Sequence, residues 1–185
     1  MQYEYNKYAD VYTALSQDRT IFLAEDLTKE LASSICGLLI YYNGSSQTDD
    51  INLFIHTSGG DAAALSSIYD VMGLIQAPVS TIGIGKVYSA GVFLLAAGTK
   101  GKRFMFPNAE VMIHGLQCTF PEMPMSDQKD STLYYNYLDS LNKRILRILS
   151  RHTGQPISKI SQDSKRDLYL DAKGALKYGI IDKIL

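Results

Sequence analysis

Along the chain, apolar positions switch repeatedly between the spacing of strands and the three-to-four spacing of helices. Thr20 to Ala24 is a short β-branched and aromatic run that predicts a buried strand. Thr28 is placed to cap the next helix, in which Leu31, Ile35, Leu38, Leu39 and Tyr42 share one face until Asn43-Gly44-Ser45-Ser46 stops it. Ile51 to His56 predicts a second strand and Ser58-Gly59-Gly60 a tight turn. Ala62 to Gln76 then predicts a helix with Leu65, Ile68, Tyr69, Met72 and Ile75 inward. Val79 to Ile84 predicts a third strand and Ser89 to Ala97 an apolar helix. Arg103 to Phe106 and Glu110 to His114 predict two strands around the Pro107-Asn108 turn.

Beyond His114 the pattern changes. Gly115 to Met125 has no period and contains Pro121 and Pro124, so it predicts a loop. Ser126 is placed to cap a helix over Asp127 to His152, with Tyr134, Tyr137, Leu138, Leu141, Ile145, Ile148 and Leu149 as its inward stripe. At 1.5 Å per residue this helix reaches about 40 Å, which predicts a packing partner outside its own domain. A short helix after Gly154, a strand near Leu168 to Leu170, and a helix from Ala172 to Tyr178 stopped by Gly179 complete the chain. Strand-turn-helix alternation with no linker, repeat or low-complexity segment predicts one α/β domain over 1–185.

Composition narrows the function classes. The formal net charge of -1, from 18 Lys+Arg and 19 Asp+Glu, argues against a nucleic-acid partner, which requires clustered cations. Cys36 and Cys118 are too few and too far apart to form a metal site or a disulfide framework. The longest strictly apolar run, Val92 to Ala97, is far below the roughly 18 residues a membrane span needs. The polar start MQYEYNKYAD has no apolar signal core. These features predict a soluble, cytoplasmic protein with neither membrane nor nucleic acid as partner.

Three histidines are available as near-neutral bases. His152 ends the long helix, where a C-terminal charge or packing role is expected. His56 ends a strand before the glycine turn, a position open to a structural or a site-facing role. His114 ends the apolar strand VMIH, and ligand sites in open α/β sheets gather at such strand ends. Ser89 follows a predicted strand and opens an apolar helix, so it is either an N-cap or a nucleophile beside free backbone N–H groups. Ser58-Gly59-Gly60 also stands at a strand end, so the Gly60 and Ala90 N–H groups could converge on one oxyanion. Asp167 sits at the entry to a late strand, one of many acidic residues. The order Ser, His, Asp differs from that of α/β-hydrolases, and Val87 replaces the first glycine of their Gly-x-Ser-x-Gly motif. Gly83-Ile84-Gly85-Lys86-Val87-Tyr88 satisfies neither a dinucleotide fingerprint nor a phosphate loop.

IHTSGGD, SIYDVM, GKVYSAGVFLLAAGTKGKRFMFPNAEVMIH, RHTGQ and SKRDLYLDAKGALKYGIID together resemble the proteolytic subunit of the Clp protease, in register from about Tyr8 to Leu185. The resemblance implies a serine endopeptidase with Ser89 as nucleophile, His114 as general base, Asp167 as orienting carboxylate, and Gly60 and Ala90 as oxyanion donors. It requires neither metal nor organic cofactor. It implies a crotonase-like α/β superhelix of repeated β-β-α units forming a head, about 8–115 and 154–185, with a handle loop and long protruding helix over 116–153. It further implies seven-membered rings stacked into a fourteen-subunit bacterial-type cytoplasmic chamber, fed with unfolded protein substrates by an AAA+ unfoldase.

Several positions depart from the family's pattern. Ser58 replaces the proline before the two glycines, and His56-Thr57 replace Asn and Ser. Lys165 replaces the acidic residue that pairs with Arg166 between rings, and the handle loop Leu116 to Met125 is longer and carries prolines. Little sequence precedes Tyr8 for axial-pore loops. Asn52 replaces one aromatic of the unfoldase-docking pocket, while Phe54, Ile82, Phe104 and Leu185 match it. These changes point to altered assembly, with a paralogous subunit as possible ring partner. They leave two alternatives beside the active protease: a weakly active or structural ring subunit, and acyl-CoA chemistry on the crotonase fold.

Overall fold

The computed structural model describes residues 7–116 and 128–185. In chain order the elements are α1 (Lys7–Gln17), β1 (Thr20–Leu23), α2 (Lys29–Ser45), β2 (Ile51–Thr57), α3 (Ala62–Leu74), β3 (Val79–Tyr88), α4 (Ala90–Ala96), β4 (Arg103–Met105) and β5 (Glu110–Ile113). There follow α5 (Gln128–Thr153), α6 (Ile157–Asp163), β6 (Leu168–Asp171), α7 (Ala172–Tyr178) and β7 (Lys183–Ile184). Thr28 caps α2 as expected, its side chain accepting from Leu31 N at 3.1 Å.

One mixed sheet organises these elements, with β1, β2, β3, β4 and β7 side by side and parallel. Strand β2 shows why: Ile51, Leu53 and Ile55 are fully buried on one face, and the intervening positions are half-buried on the other. On that second face Phe22, Phe54, Ile82 and Phe104 form a row in register across four strands, and the Phe22 and Phe54 rings stack at 4.9 Å. Every residue of α4 is buried, as befits a helix apolar all round.

Strand β3 runs four residues further than the sequence pattern predicts and serves two ladders. Thr81 to Gly83 pair with β4, and Lys86 to Tyr88 pair with β5. Strand β6 joins β5 antiparallel, with Ile113 opposite Leu168. Two elements carried no readable signal: α1, whose polar and apolar residues are mixed, and β7, which is only two residues long.

The α5 stripe is inward only toward its end. Ile145, Leu146, Ile148 and Leu149 are buried, whereas Tyr137, expected inward, is 61% exposed. Among the described residues, body residues cover only the last turns, so periodicity alone overstated the buried length there. The predicted loop from Gln117, Cys118, Pro121, Pro124 and the Ser126 cap lie outside the described residues.

A charged knot ties the far ends together. Buried Arg103 binds Asp182 through Nε at 2.8 Å and Nη2 at 2.6 Å, while its Nη1 donates to the carbonyls of Ala96, His152 and Gly179. Its donors are thereby satisfied, the condition under which a buried ion is tolerated.

Candidate functional site

The turn after β2 and the turn after β3 meet at Ser89. Its backbone lies at φ 51 and ψ -121, outside the basins normally open to a non-glycine residue. Such strain costs about 1–3 kcal/mol and persists only where the surroundings enforce it. Ser89 N donates to Met112 O at 2.8 Å, and Ser89 O accepts from Val92 N at 3.0 Å, fixing the residue between β5 and α4. Its hydroxyl makes no capping hydrogen bond, so the N-cap alternative fails.

The glycine turn comes as close as backbone can. A Cβ on Gly59, at φ +114, would stand 2.6 Å from Ser89 Cβ. A Cβ on Gly60, at φ +137, would stand 2.4 Å from Leu27 O, because the turn is hydrogen-bonded along Leu27. Among the hydrogen bonds of the described residues, neither the Gly60 nor the Ala90 N–H has an acceptor.

Ser89, Gly60, Ala90 and His114 line one cleft of about 270 Å³. Ala62, Leu65, Phe93, Ile145 and Leu146 give it an apolar wall, and Ser58, Gly115, Leu116 and Asn142 also line it. His114 Nδ1 lies 2.5 Å from Gly115 O, a contact in which the Nδ1–H tautomer donates and leaves Nε2 as the acceptor. Asp167 is not part of this cleft: it is exposed, and its Oδ2 accepts from the Tyr169 hydroxyl at 3.5 Å. The β5–β6 register, carried one step past Ile113 and Leu168, would set 114 against 167. Gly115 N donates to Ser164 O at 2.8 Å, so by Gly115 the chain has left the ladder, and Lys165 and Arg166 are exposed.

The sequence model of the Clp protease family matches residues 3–185. This chain belongs to the Clp protease family. It is therefore a peptidase of the Clp proteolytic-subunit kind, and the Clp protease family generally forms oligomeric rings with unfoldase partners. No helix of the described residues is long and apolar enough to cross a membrane, and no His, Cys, Asp and Glu cluster among them could hold a metal ion.

Within this Clp family member the other two histidines stand apart from the cleft. His152 packs edge-on against Tyr69, whose hydroxyl lies 3.1 Å from Nε2. Burial, then the nearby Arg103 and Arg151 charges, push its imidazole below the usual histidine value. That favours the packing role over a charge for the helix end. His56 braces a bulge in β3. Asn142, whose Oδ1 accepts from Leu116 N at 3.4 Å, was missed as a lining residue. Its signal was a single amide on the apolar stripe between Leu138 and Ile145.

Proposed function

We propose that this chain is a serine endopeptidase subunit of an ATP-dependent protease, cleaving unfolded polypeptides inside a cytoplasmic ring chamber. One observation carries the reading: a strained, uncapped Ser89 shares a cleft with His114 and two backbone N–H groups that lack acceptors among the described residues. In this mechanism His114 Nε2 takes the Ser89 proton as Oγ attacks the peptide carbonyl. Gly60 N–H and Ala90 N–H hold the developing oxyanion, each donor worth roughly 3–4 kcal/mol. His114 then protonates the leaving amine, and water releases the acyl group from Ser89.

Asp167 is the orienting carboxylate in this reading. It directly precedes Leu168, the register partner of Ile113, and taking up its role means receiving the Nδ1–H now donated to Gly115 O. The α5 helix acts as the handle, and its exposed Leu133 and Tyr137 support a neighbouring subunit as its cover. The row Phe22, Phe54, Ile82 and Phe104 supports unfoldase docking on the sheet face it occupies. The single-domain head and handle, with rings of seven doubled to fourteen, belong to the same proposal.

The position of Asp167 outside the cleft favours a second reading, a weakly active subunit that pairs with an active paralogue. A fluorophosphonate probe separates the two. The active reading expects a Ser89 adduct in the assembled particle and loss of peptide hydrolysis in Ser89→Ala. An assembled particle with no adduct leaves the structural subunit.

A further inference from the structure

Register between β2 and β3 breaks beside the cleft. Ile55 faces Gly83 but Thr57 faces Val87, so β3 accommodates extra residues over this step. The His56 ring fills the space at that bulge, its Nδ1 3.1 Å from Ile84 O and 3.3 Å from Lys86 N. Gly85, at φ +56, is required there because a Cβ would come within 2.7 Å of His56 Nδ1. The bulge sends Lys86 across to the glycine turn, where Nζ donates to Ser58 Oγ at 2.6 Å. Ser58 lines the cleft that holds Ser89 and His114.

Lys86 takes part in none of the ion pairs formed among the described residues. Glu110, its register partner on β5, is engaged by the Tyr88 hydroxyl. Two carboxylates flank the glycine turn, and both serve backbone groups: Asp26 accepts from Ser58 N at 3.1 Å and Asp61 from Ala64 N at 2.7 Å. An ammonium bound to one neutral hydroxyl keeps donors to spare, and a carboxylate is their strongest partner.

We propose that Lys86, steadied by Ser58, is a specificity-determining residue that recruits an Asp or Glu side chain of the substrate, close to the scissile bond, at the edge of the Ser89 cleft. The inference rests on the peptidase reading and adds its substrate class. Because Lys86 is exposed, the preference is modest, about two- to five-fold. It acts through KM more than kcat, since Lys86 stands off from the reacting atoms.

The test uses the full-length protein and matched fluorogenic peptides carrying Glu, Gln or Lys at single positions on either side of the cleaved bond. The best Glu peptide should exceed its Gln counterpart in kcat/KM by about two- to five-fold, a gap that narrows with added salt. Lys86→Gln should level the two, Lys86→Glu should favour the Lys peptide, and Asp26→Asn should widen the parent's preference. An unchanged ranking in Lys86→Gln overturns the subsite. Anisotropy of the same peptides on Ser89→Ala protein reads the preference without turnover, and equal binding of Glu and Gln peptides there also overturns it. Absence of a Ser89 fluorophosphonate adduct in the parent protein speaks to the peptidase reading alone.

Discussion

The two sides of the cleft are built to different tolerances. On the Ser89 side, Gly59 and Gly60 leave no room for a Cβ, and Ser89 is pinned through both of its backbone polar groups. On the Asp167 side, a Cβ on Gly115 would meet, among the described residues, only Ser164 O at 3.3 Å, and Lys165, Arg166 and Asp167 are all exposed. Half of the site is thus specified within the chain by close-packed backbone, which cannot drift without clashes. The other half hangs on an exposed turn that few contacts among the described residues hold in place. A fixed Ser89 opposite an adjustable Asp167 turn is a contrast that mutation can probe from either side.

The largest effect is expected on the loose side. If Asp167 orients the base, Asp167→Asn should lower kcat by about 10⁴-fold, as loss of the correct tautomer does in serine peptidases with a Ser-His-Asp triad. A drop of only a few-fold in a fluorogenic peptide assay would mean that the Gly115 carbonyl orients His114 by itself. On the tight side, if the Gly60 N–H serves the oxyanion, Gly60→Ala should cost about 10²–10³-fold in kcat by displacing that donor. Gly115→Ala should stay within about tenfold, because its neighbour needs to give only slightly. Equal losses in these two variants would erase the contrast between the sides.

Smaller effects are expected where the α5 wall is anchored. Asp182→Ala strands the Arg103 guanidinium and should lower unfolding free energy by about 2–4 kcal/mol in urea titrations. The Arg103 N–H groups hold the Asp182 carboxyl below the usual range. Folding therefore favours its ionised form: the contribution is full above about pH 4, the unfolded value, and is lost as pH falls through the folded value. Asp182→Asn should flatten that acid limb. The smallest effect belongs to His152, whose depressed pKa means the unfolded chain takes up the proton first. Stability should decline as pH drops below about 6.5, and His152→Gln should remove that slope in urea midpoints taken across the range.

Much of this was legible because burial leaves a period in the sequence. β1, β2, α2, α3 and α4 appear where β-branched runs and three-to-four spacings placed them. The bulge at Ile84 to Lys86 was not legible, since a strand that breaks register looks like a strand that ends. That one misreading hid the second half of β3, the task of His56 and the aim of Lys86 together. Ser89 was found from its place between a strand and small residues, whereas its positive φ is a property of the surrounding packing. Asp167 rested on family resemblance alone, because one carboxylate among 19 acidic residues has no local signature. Its distance from the cleft follows from a turn that no periodicity describes.

The Arg103 knot also bears on the order of events during synthesis. Arg103 and Asp182 are 79 residues apart, and the carbonyls of His152 and Gly179 also emerge late from the ribosome. Until then the guanidinium has no counter-charge and the β4 edge has no β7 to pair with. Ser89 leaves the ribosome long before the body that positions it can close. The frame around Ser89 thus gains its Asp182 counter-charge and its β7 edge pairing only once the segment through Ile184 has been made, so a nascent chain holds Ser89 in an unfinished frame until then.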